Sequence, residues 1–177
     1  MLLTLRASQT PATDFAAFLG LPLDRIASFE LPFGRAHAFL PEATETEATV
    51  ALLLDVDPVA STPVDERLYT ASPLLAAAVA RTFAPILEGP EQPSIPLEAR
   101  LAAFPCKGGE ARLRSAFEPL GYAVTAEALP LDPTFPEWGT SRCFSVTLRA
   151  TLPVRELLGH LCSLLPILAG DDDPANP

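Results

Sequence analysis

The sequence predicts an α+β protein made of two βαββ-type halves, whose strands form mixed or antiparallel sheets with helices packed on one side. The composition is that of a globular protein, with 49% hydrophobic and 19% charged residues over 177 positions. Short apolar or alternating stretches typical of strands are interspersed with segments of helical periodicity. A proline-rich stretch, residues 88–96, separates two parts of the chain in which these stretches follow a similar order.

The first part is predicted to contain four strands and two helices. The strands are expected at residues 2–7, 25–31, 35–40 and 49–57. The last of these is almost continuously apolar, as in a central strand that is covered on both faces. A short helix is expected over residues 13–20, where a capping side chain precedes it and a glycine ends it. A second helix is expected to start at Ser72 and Pro73 and to be kinked or shortened at Pro85.

The second part is predicted to repeat this order with one strand, a helix, two strands and a final helix. The expected strands are residues 97–104, 122–131 and 142–150, and the expected helices are residues 108–121 and 154–168. We therefore divide the chain into halves at residues 1–90 and 91–170, followed by residues 171–177. An ancient duplication and a coincidence of two ordinary α+β units both account for the repeated order.

The charge and the cysteines restrict the classes of protein. The formal net charge is −10, and so acidic a surface repels nucleic-acid phosphates unless its arginines are concentrated on one face. Three cysteines far apart in sequence fit neither a disulfide framework nor a metal knuckle, which indicates a reducing compartment. The sequence shows no signal-peptide pattern and no apolar run long enough to cross a bilayer. We expect a soluble cytoplasmic protein that does not contact a membrane.

The segment Pro105-Cys106-Lys107-Gly108-Gly109-Glu110 invites two interpretations. A glycine-rich loop before a helix can bind phosphate, but here the lysine precedes the glycines and a glutamate occupies the first turn. A hinge between a strand and a helix is therefore the favoured interpretation. Within the segment, Cys106 is the one cysteine whose position, beside a lysine and at a helix start, suggests a lowered pKa.

No pattern in the sequence predicts a catalytic, cofactor or metal site. His37 and His160 are the only histidines and are far apart, so neither a paired-histidine metal motif nor a local triad exists. The acidic stretches lack the spacing of a calcium loop.

The segment from Leu129 to Arg142 is unusual for a surface loop because it carries Phe135, Trp138 and three prolines. Aromatic side chains on a stiff loop are typical anchors of protein interfaces. Alternatively, the two rings fold back and close one end of the sheet. The sequence leaves both alternatives open.

Five segments together resemble the amino-terminal domain of the bacterial Hen-type RNA 3'-terminal ribose 2'-O-methyltransferase. They are residues 33–43, 68–83, 96–122, 131–142 and 148–168. The resemblance implies that residues 171–177 are a truncated linker to an absent methyltransferase domain. It also implies that the S-adenosylmethionine and divalent-metal sites of the parent protein lie in that domain, and that this fragment has no cofactor and no catalytic residue.

The resemblance further implies that the domain binds and activates the ligase of a bacterial polynucleotide kinase-phosphatase-ligase, so that cleaved RNA such as tRNA is sealed. Contact with RNA would then be indirect. Loop and strand-end residues with arginine, histidine or aromatic side chains are the candidate partner contacts. They are Arg35, His37, Phe135, Trp138 and Arg142.

A second hypothesis is an RNA-end binding module that presents the RNA 3' terminus to the methyltransferase domain. It requires a cluster of arginines on one face and a steep salt dependence of RNA affinity. The candidate arginines for such a cluster are Arg6, Arg100, Arg112, Arg114 and Arg149.

Overall fold

The structure of the protein is a computed structural model, and it describes residues 1–8, 12–22, 24–57, 67–90 and 92–170. Residues 171–177, predicted above to be a linker, lie outside the described residues. The strands are β1 (Leu2–Ser8), β2 (Ala27–Leu31), β3 (Gly34–Ala43), β4 (Glu47–Val56), β5 (Ile95–Pro105), β6 (Ala123–Pro130) and β7 (Thr140–Leu152). The α-helices are α1 (Ala12–Leu19), α2 (Arg67–Thr82), α3 (Ala84–Leu87), α4 (Gly109–Phe117) and α5 (Val154–Ala169).

The seven strands form one sheet in the order β2-β3-β4-β1-β5-β7-β6, and every neighbouring pair is antiparallel. The predicted α+β class is therefore confirmed, with an antiparallel sheet. Helices α2 and α5 pack against each other, and the helices make contact with the sheet and with one another as a single layer. Along the strands burial alternates, as in β1, where every second residue is buried.

The core extends across both halves of the chain in one cross-strand row. The row runs through Ala38, Leu52, Leu3, Leu101, Val146 and Ala126, one residue from each of six neighbouring strands. All six belong to the hydrophobic core or pack against it. The helices cover this face, so the opposite face of the sheet is left open within the described residues.

The two halves are arranged alike around the central pair of β1 and β5. In the first half β1 is followed outward by β4 and β3, and in the second half β5 is followed outward by β7 and β6. Strand β2 is an addition at the edge of the first half. Because the halves share one sheet and one core, the division at residue 90 describes the order of elements along the chain. The ancient duplication stays a prediction.

The start of α2 differs from the sequence prediction. Ser72 and Pro73 lie inside the helix instead of beginning it. The Ser72 side chain is buried, and its hydroxyl oxygen has no hydrogen-bond partner among the described residues. Burial of Leu75 and Val79 stabilises the helix despite the proline, as tertiary packing commonly overrides local propensity.

Prolines set two element boundaries and mark one irregularity within a strand. Pro85 lies in the first turn of α3 and separates it from α2, as predicted. Pro119 ends α4 two residues earlier, and residues 118–120 form a 3₁₀ turn instead of the predicted continuous helix. Strand β3 continues past its predicted end at residue 40. Pro41 can lie within the strand because the pairing with β4 shifts between Phe39 and Glu42, and a proline is tolerated at such an irregularity.

The predicted linker also differs at its end. Strand β5 begins at Ile95, so Ile95 and Pro96 belong to the sheet and not to the connection between the halves.

Candidate partner-binding surface

The loop between β6 and β7, residues 131–139, displays two stacked aromatic rings at the surface. The ring centroids of Phe135 and Trp138 are 4.8 Å apart and the ring planes differ by 16°. Phe135 is 43% exposed and Trp138 is 59% exposed. The rings therefore pack on each other and do not close the end of the sheet, which decides between the two alternatives in favour of an exposed aromatic surface. We call residues 131–139 the aromatic loop.

Backbone hydrogen bonds hold the aromatic loop in one conformation. At its base the N–H of Leu131 donates to the carbonyl of Gly139 over 3.0 Å. The Asp132 carboxylate accepts a bond of 2.7 Å from the N–H of Thr134. The N–H of Trp138 donates to the carbonyl of Phe135 over 3.0 Å. Two ring-bearing residues fixed in this way lose little conformational entropy when a partner binds.

The topology does not require so long a loop. The connection between β3 and β4 occupies the corresponding place in the first half and consists of residues 44–46 only. It is a tight turn in which the Thr44 hydroxyl accepts a bond of 2.9 Å from the N–H of Glu47. The aromatic loop is thus an elaboration of a connection that the fold makes elsewhere with three polar residues.

Arg35 and His37, the other candidate contacts, lie on β3 and not beside the aromatic loop. The Arg35 guanidinium donates to Glu30 over 2.7 Å, and His37 Nδ1 is 2.9 Å from the Ser28 hydroxyl oxygen. Strands β4, β1 and β5 separate β3 from β7, a lateral distance of about 19 Å at ~4.8 Å per strand. The structure therefore does not bring the five candidates together in one cluster.

The two groups of candidates nevertheless face the same end of the sheet. Strands β3 and β7 run in the same direction, because an odd number of antiparallel strands lies between them. Arg35 stands near the start of β3, and Arg142 stands near the start of β7, next to the aromatic loop. The Arg142 side chain is exposed and its carbonyl accepts a bond from the N–H of Cys106. An interface of ordinary size, about 800 Å² per partner, covers such a distance.

The glycine pair after β5 forms the turn between β5 and α4, and Arg112 then joins α4 to the end of α5. Gly108 and Gly109 have φ angles of +87° and +67°, which allow the abrupt entry into α4. From the first turn of α4, the Arg112 guanidinium donates to the carbonyls of Ile167 (3.0 Å) and Gly170 (3.3 Å). The segment supports α5 and presents no phosphate cradle.

The expectation of a lowered pKa for Cys106 is wrong. Its side chain is buried, and burial raises the pKa of the thiol because it disfavours the thiolate. The thiol has two carbonyl acceptors within reach of its one hydrogen, at 3.5 Å on Lys107 and 3.6 Å on Gly109. Burial also raises the pKa of Cys143 and of Cys162. The structure gives none of the three cysteines the electropositive, accessible setting of a reactive thiol.

His160 has a structural partner and lies beside a cleft of about 470 Å³. Its Nδ1 is 2.8 Å from the hydroxyl oxygen of Tyr122, and the two rings meet edge to face. Burial, with a smaller contribution from the charge of Glu156, raises the pKa of Tyr122. The pair of rings joins the residue before β6 to α5.

The candidate RNA-contact arginines do not form a cationic surface. Arg6 pairs with Glu47, Arg149 with Glu98, and Arg114 with both Glu110 and Glu118. Two of these four partners, Glu47 and Glu98, lie more than forty residues away in sequence, so sequence inspection missed these two pairs. The Arg112 guanidinium donates to a carbonyl at the end of α5. The remaining candidate, Arg100, is exposed.

Within residues 1–8, 12–22, 24–57, 67–90 and 92–170, no group of three histidine, cysteine or acidic side chains is placed to hold a metal ion. No helix among these residues is both long and apolar enough to span a bilayer.

This fold, an antiparallel sheet with one helical layer, also occurs in solved structures of an RNA repair complex. The protein resembles a chain of the Pnkp1/Rnl/Hen1 RNA repair complex with a TM-score of 0.62 and 14% sequence identity, covering 98% of this chain and 43% of that one. A second structure of the Pnkp1/Rnl/Hen1 complex gives a TM-score of 0.59 and 14% identity, covering 96% of this chain and 41% of that one. The chain thus spans less than half the length of the chains it matches.

The sequence matches the family described as the RNA repair, ligase-Pnkp-associating region of Hen1 over residues 1–173. The chain belongs to this family, which confirms the resemblance drawn from its sequence. No match was found among curated proteins.

Proposed function

We propose that this chain is a non-catalytic domain that binds the ligase of a bacterial RNA repair complex and increases its activity. The family is described as ligase-Pnkp-associating, and the similar solved chains belong to Pnkp1/Rnl/Hen1 complexes. The observation that carries the proposal is the pair of stacked, exposed rings on a loop that the fold does not need. Such rings are the commonest energetic anchors of protein interfaces.

Activation requires that the domain bind the active conformation of the ligase more tightly than the inactive one. A surface held in one conformation suits this role, because it discriminates between two shapes of a partner without first becoming ordered. The polynucleotide kinase-phosphatase-ligase is the proposed partner, and cleaved RNA such as tRNA is reached through it.

The remaining functions implied for the whole protein belong to other parts of it. We propose that an S-adenosylmethionine-dependent RNA 2'-O-methyltransferase domain, with its divalent metal, accompanies this region in the whole protein, and that the assembly works in the cytoplasm. This chain spans 43% and 41% of the similar solved chains, which leaves room for such a domain.

The test is a ligation assay with nicked tRNA, the partner ligase and increasing amounts of this protein. The expected result is a saturable increase in the ligation rate. The Trp138→Ala substitution should raise the protein concentration needed for half-maximal activation about tenfold or more, because a central aromatic anchor commonly contributes ~2 kcal/mol to binding. Ile26→Ala is the matched control, since Ile26 is a similarly exposed apolar side chain, 61% exposed, near β2.

Two results would contradict the proposal. If saturating amounts of the wild-type protein leave the ligation rate unchanged, the assignment as an activator is wrong. If Trp138→Ala folds normally and activates as Ile26→Ala does, the aromatic loop is not the contact. The alternative function, RNA-end binding, has no support in the geometry. Support for it would require that this protein alone shift nicked tRNA in a gel and that the binding weaken steeply as the salt concentration rises.

A further inference from the structure

We infer that the aromatic loop receives an arginine side chain of the partner protein, with the guanidinium stacked on Trp138 and paired with the carboxylate of Glu137. This inference rests on the proposed function, since it specifies the chemistry of the same surface. Three properties of the loop carry it: the exposed indole, the neighbouring carboxylates, and the fixed backbone.

The exposed indole offers a face to a cation. Phe135 stacks on one side of Trp138, yet the Trp138 side chain keeps 59% of its surface accessible. The face of an indole is its electron-rich region and is the strongest aromatic acceptor for a cation in proteins. Leu131, which is 60% exposed at the base of the loop, supplies apolar surface for the methylene part of a long side chain.

The two carboxylates of the aromatic loop favour a cation over other ligands. Asp132 precedes Phe135, and its Oδ1 is occupied by the N–H of Thr134. Glu137 lies between the rings in sequence, is exposed, and has no ion-pair partner among the described residues. The inferred guanidinium on the indole would thus have an ion-pair partner on the adjacent residue, Glu137. The net charge of −10 favours the approach of such a partner.

Arginine fits the site better than lysine because its planar guanidinium stacks on a ring and still donates hydrogen bonds to a carboxylate. An RNA base would also stack on Trp138, but its phosphates would face Glu137 and the acidic surface around it. The loop backbone is already fixed by the bonds from Leu131 to Gly139 and from Trp138 to Phe135, so binding orders mainly the incoming side chain.

Trp138 is the only tryptophan of the chain and therefore reports directly on this site. In the first arm, the protein is labelled with 5-fluorotryptophan and its single fluorine resonance is followed by NMR. The probes are a capped peptide of alternating glycine and arginine, the same peptide with citrulline or lysine in place of arginine, and a short oligouridylate. We expect a saturable shift with the arginine peptide, a smaller one with lysine, and none with citrulline or RNA. Equal shifts with arginine and citrulline, or a shift with RNA alone, would overturn the inference.

In the second arm, the affinity of the partner ligase is measured by calorimetry for the wild type, Glu137→Lys and Glu45→Lys. Glu45 is exposed in the β3–β4 connection, which occupies the corresponding place in the first half, and its replacement changes the net charge equally. We expect Glu137→Lys to weaken binding about tenfold and Glu45→Lys to change it less than about twofold.

The two arms separate failure of the inference from failure of the proposed function. If the ligase binds all three proteins equally, the arginine pairing is wrong while ligase binding stands. If the ligase does not bind the wild type at all, the proposed function is wrong, and the peptide titrations still decide whether the loop binds arginine.

Discussion

Gly34, the first residue of β3, occupies a backbone position that only glycine adopts without strain. Its φ is +145°, and a Cβ atom built there would lie 2.1 Å from the carbonyl oxygen of Asp55 on β4. Replacing Gly34→Ala should therefore force the β2–β3 hairpin away from β4. We expect a loss of about 2 kcal/mol or more in the free energy of unfolding, measured by urea titration followed by circular dichroism.

Gly159→Ala is the matched control for this glycine. Gly159 lies in α5, and a Cβ atom built there meets no other atom within 4 Å. Alanine is the better helix former, so this variant should gain about 0.5–1 kcal/mol. Equal stability of the two variants would show that the close approach of Gly34 to β4 is not a constraint.

Other residues show where sequence inspection stops. The aromatic loop could be singled out from the sequence, but the exposure of Phe135 and Trp138 could not be decided, because such rings pack either at an interface or against the sheet. The burial of Cys106 could not be anticipated, because the end of α5 packs there from more than fifty residues away. Its neighbours Lys107 and Gly108 suggested an electropositive setting, while desolvation has the larger effect on its pKa.

The junction between α4 and the end of α5 includes the Arg112 side chain and a backbone bond from the N–H of Lys107 to the carbonyl of Leu168. The last carbonyls of a helix lack partners within the helix, and Arg112 of α4 supplies hydrogen bonds to two carbonyls at the end of α5. We expect Arg112→Met, which keeps the apolar stem, to lower the free energy of unfolding by about 1–2 kcal/mol. Urea unfolding of the two proteins measures the difference.

Arg114 provides the comparison within the same helix. Its ion pairs with Glu110 and Glu118 are exposed and connect positions one turn apart in the chain. Such pairs contribute little to stability in water, so Arg114→Met should unfold nearly as the wild type does. If both variants lost the same stability, the bonds to the α5 carbonyls would have no special role.

Element boundaries were predictable where a proline acts on its own segment. Pro85 interrupted the helical segment at the expected position, since a proline cannot continue a hydrogen-bonded turn, whereas the effect of Pro119 on the end of α4 was not predicted. The predicted start of α2 at Ser72 and Pro73 was wrong. Burial of neighbouring α2 residues against α5 and the sheet outweighs the cost of a proline in an early helical turn. The order β2-β3-β4-β1-β5-β7-β6 depends on pairings between strands that are distant in sequence, such as β1 with β4 and β1 with β5, which no local pattern encodes.

The whole molecule has two similar halves and a single core. The central antiparallel pair of β1 and β5 joins the halves through the sheet, and α2 and α5 join them through the helical layer. The buried row from Ala38 through Leu3 and Leu101 to Ala126 has no gap between the halves. Neither half can therefore lose its strands without exposing the apolar surface of the other.

This continuity predicts that the protein unfolds in one cooperative transition, even when the change is made in one half only. Leu52 lies on β4 in the first half, is almost completely buried, and pairs with Leu3. Leu52→Ala should lower the free energy of unfolding by about 2–5 kcal/mol.

Fluorescence of Trp138 reports on the second half, and far-ultraviolet circular dichroism reports on both. The two probes should shift together to the same lower urea midpoint, because a break in the row at Leu52 removes support from β1 and thereby from β5. A Trp138 transition that kept its wild-type midpoint while the dichroism signal fell earlier would instead show two independently stable halves, each with a core of its own.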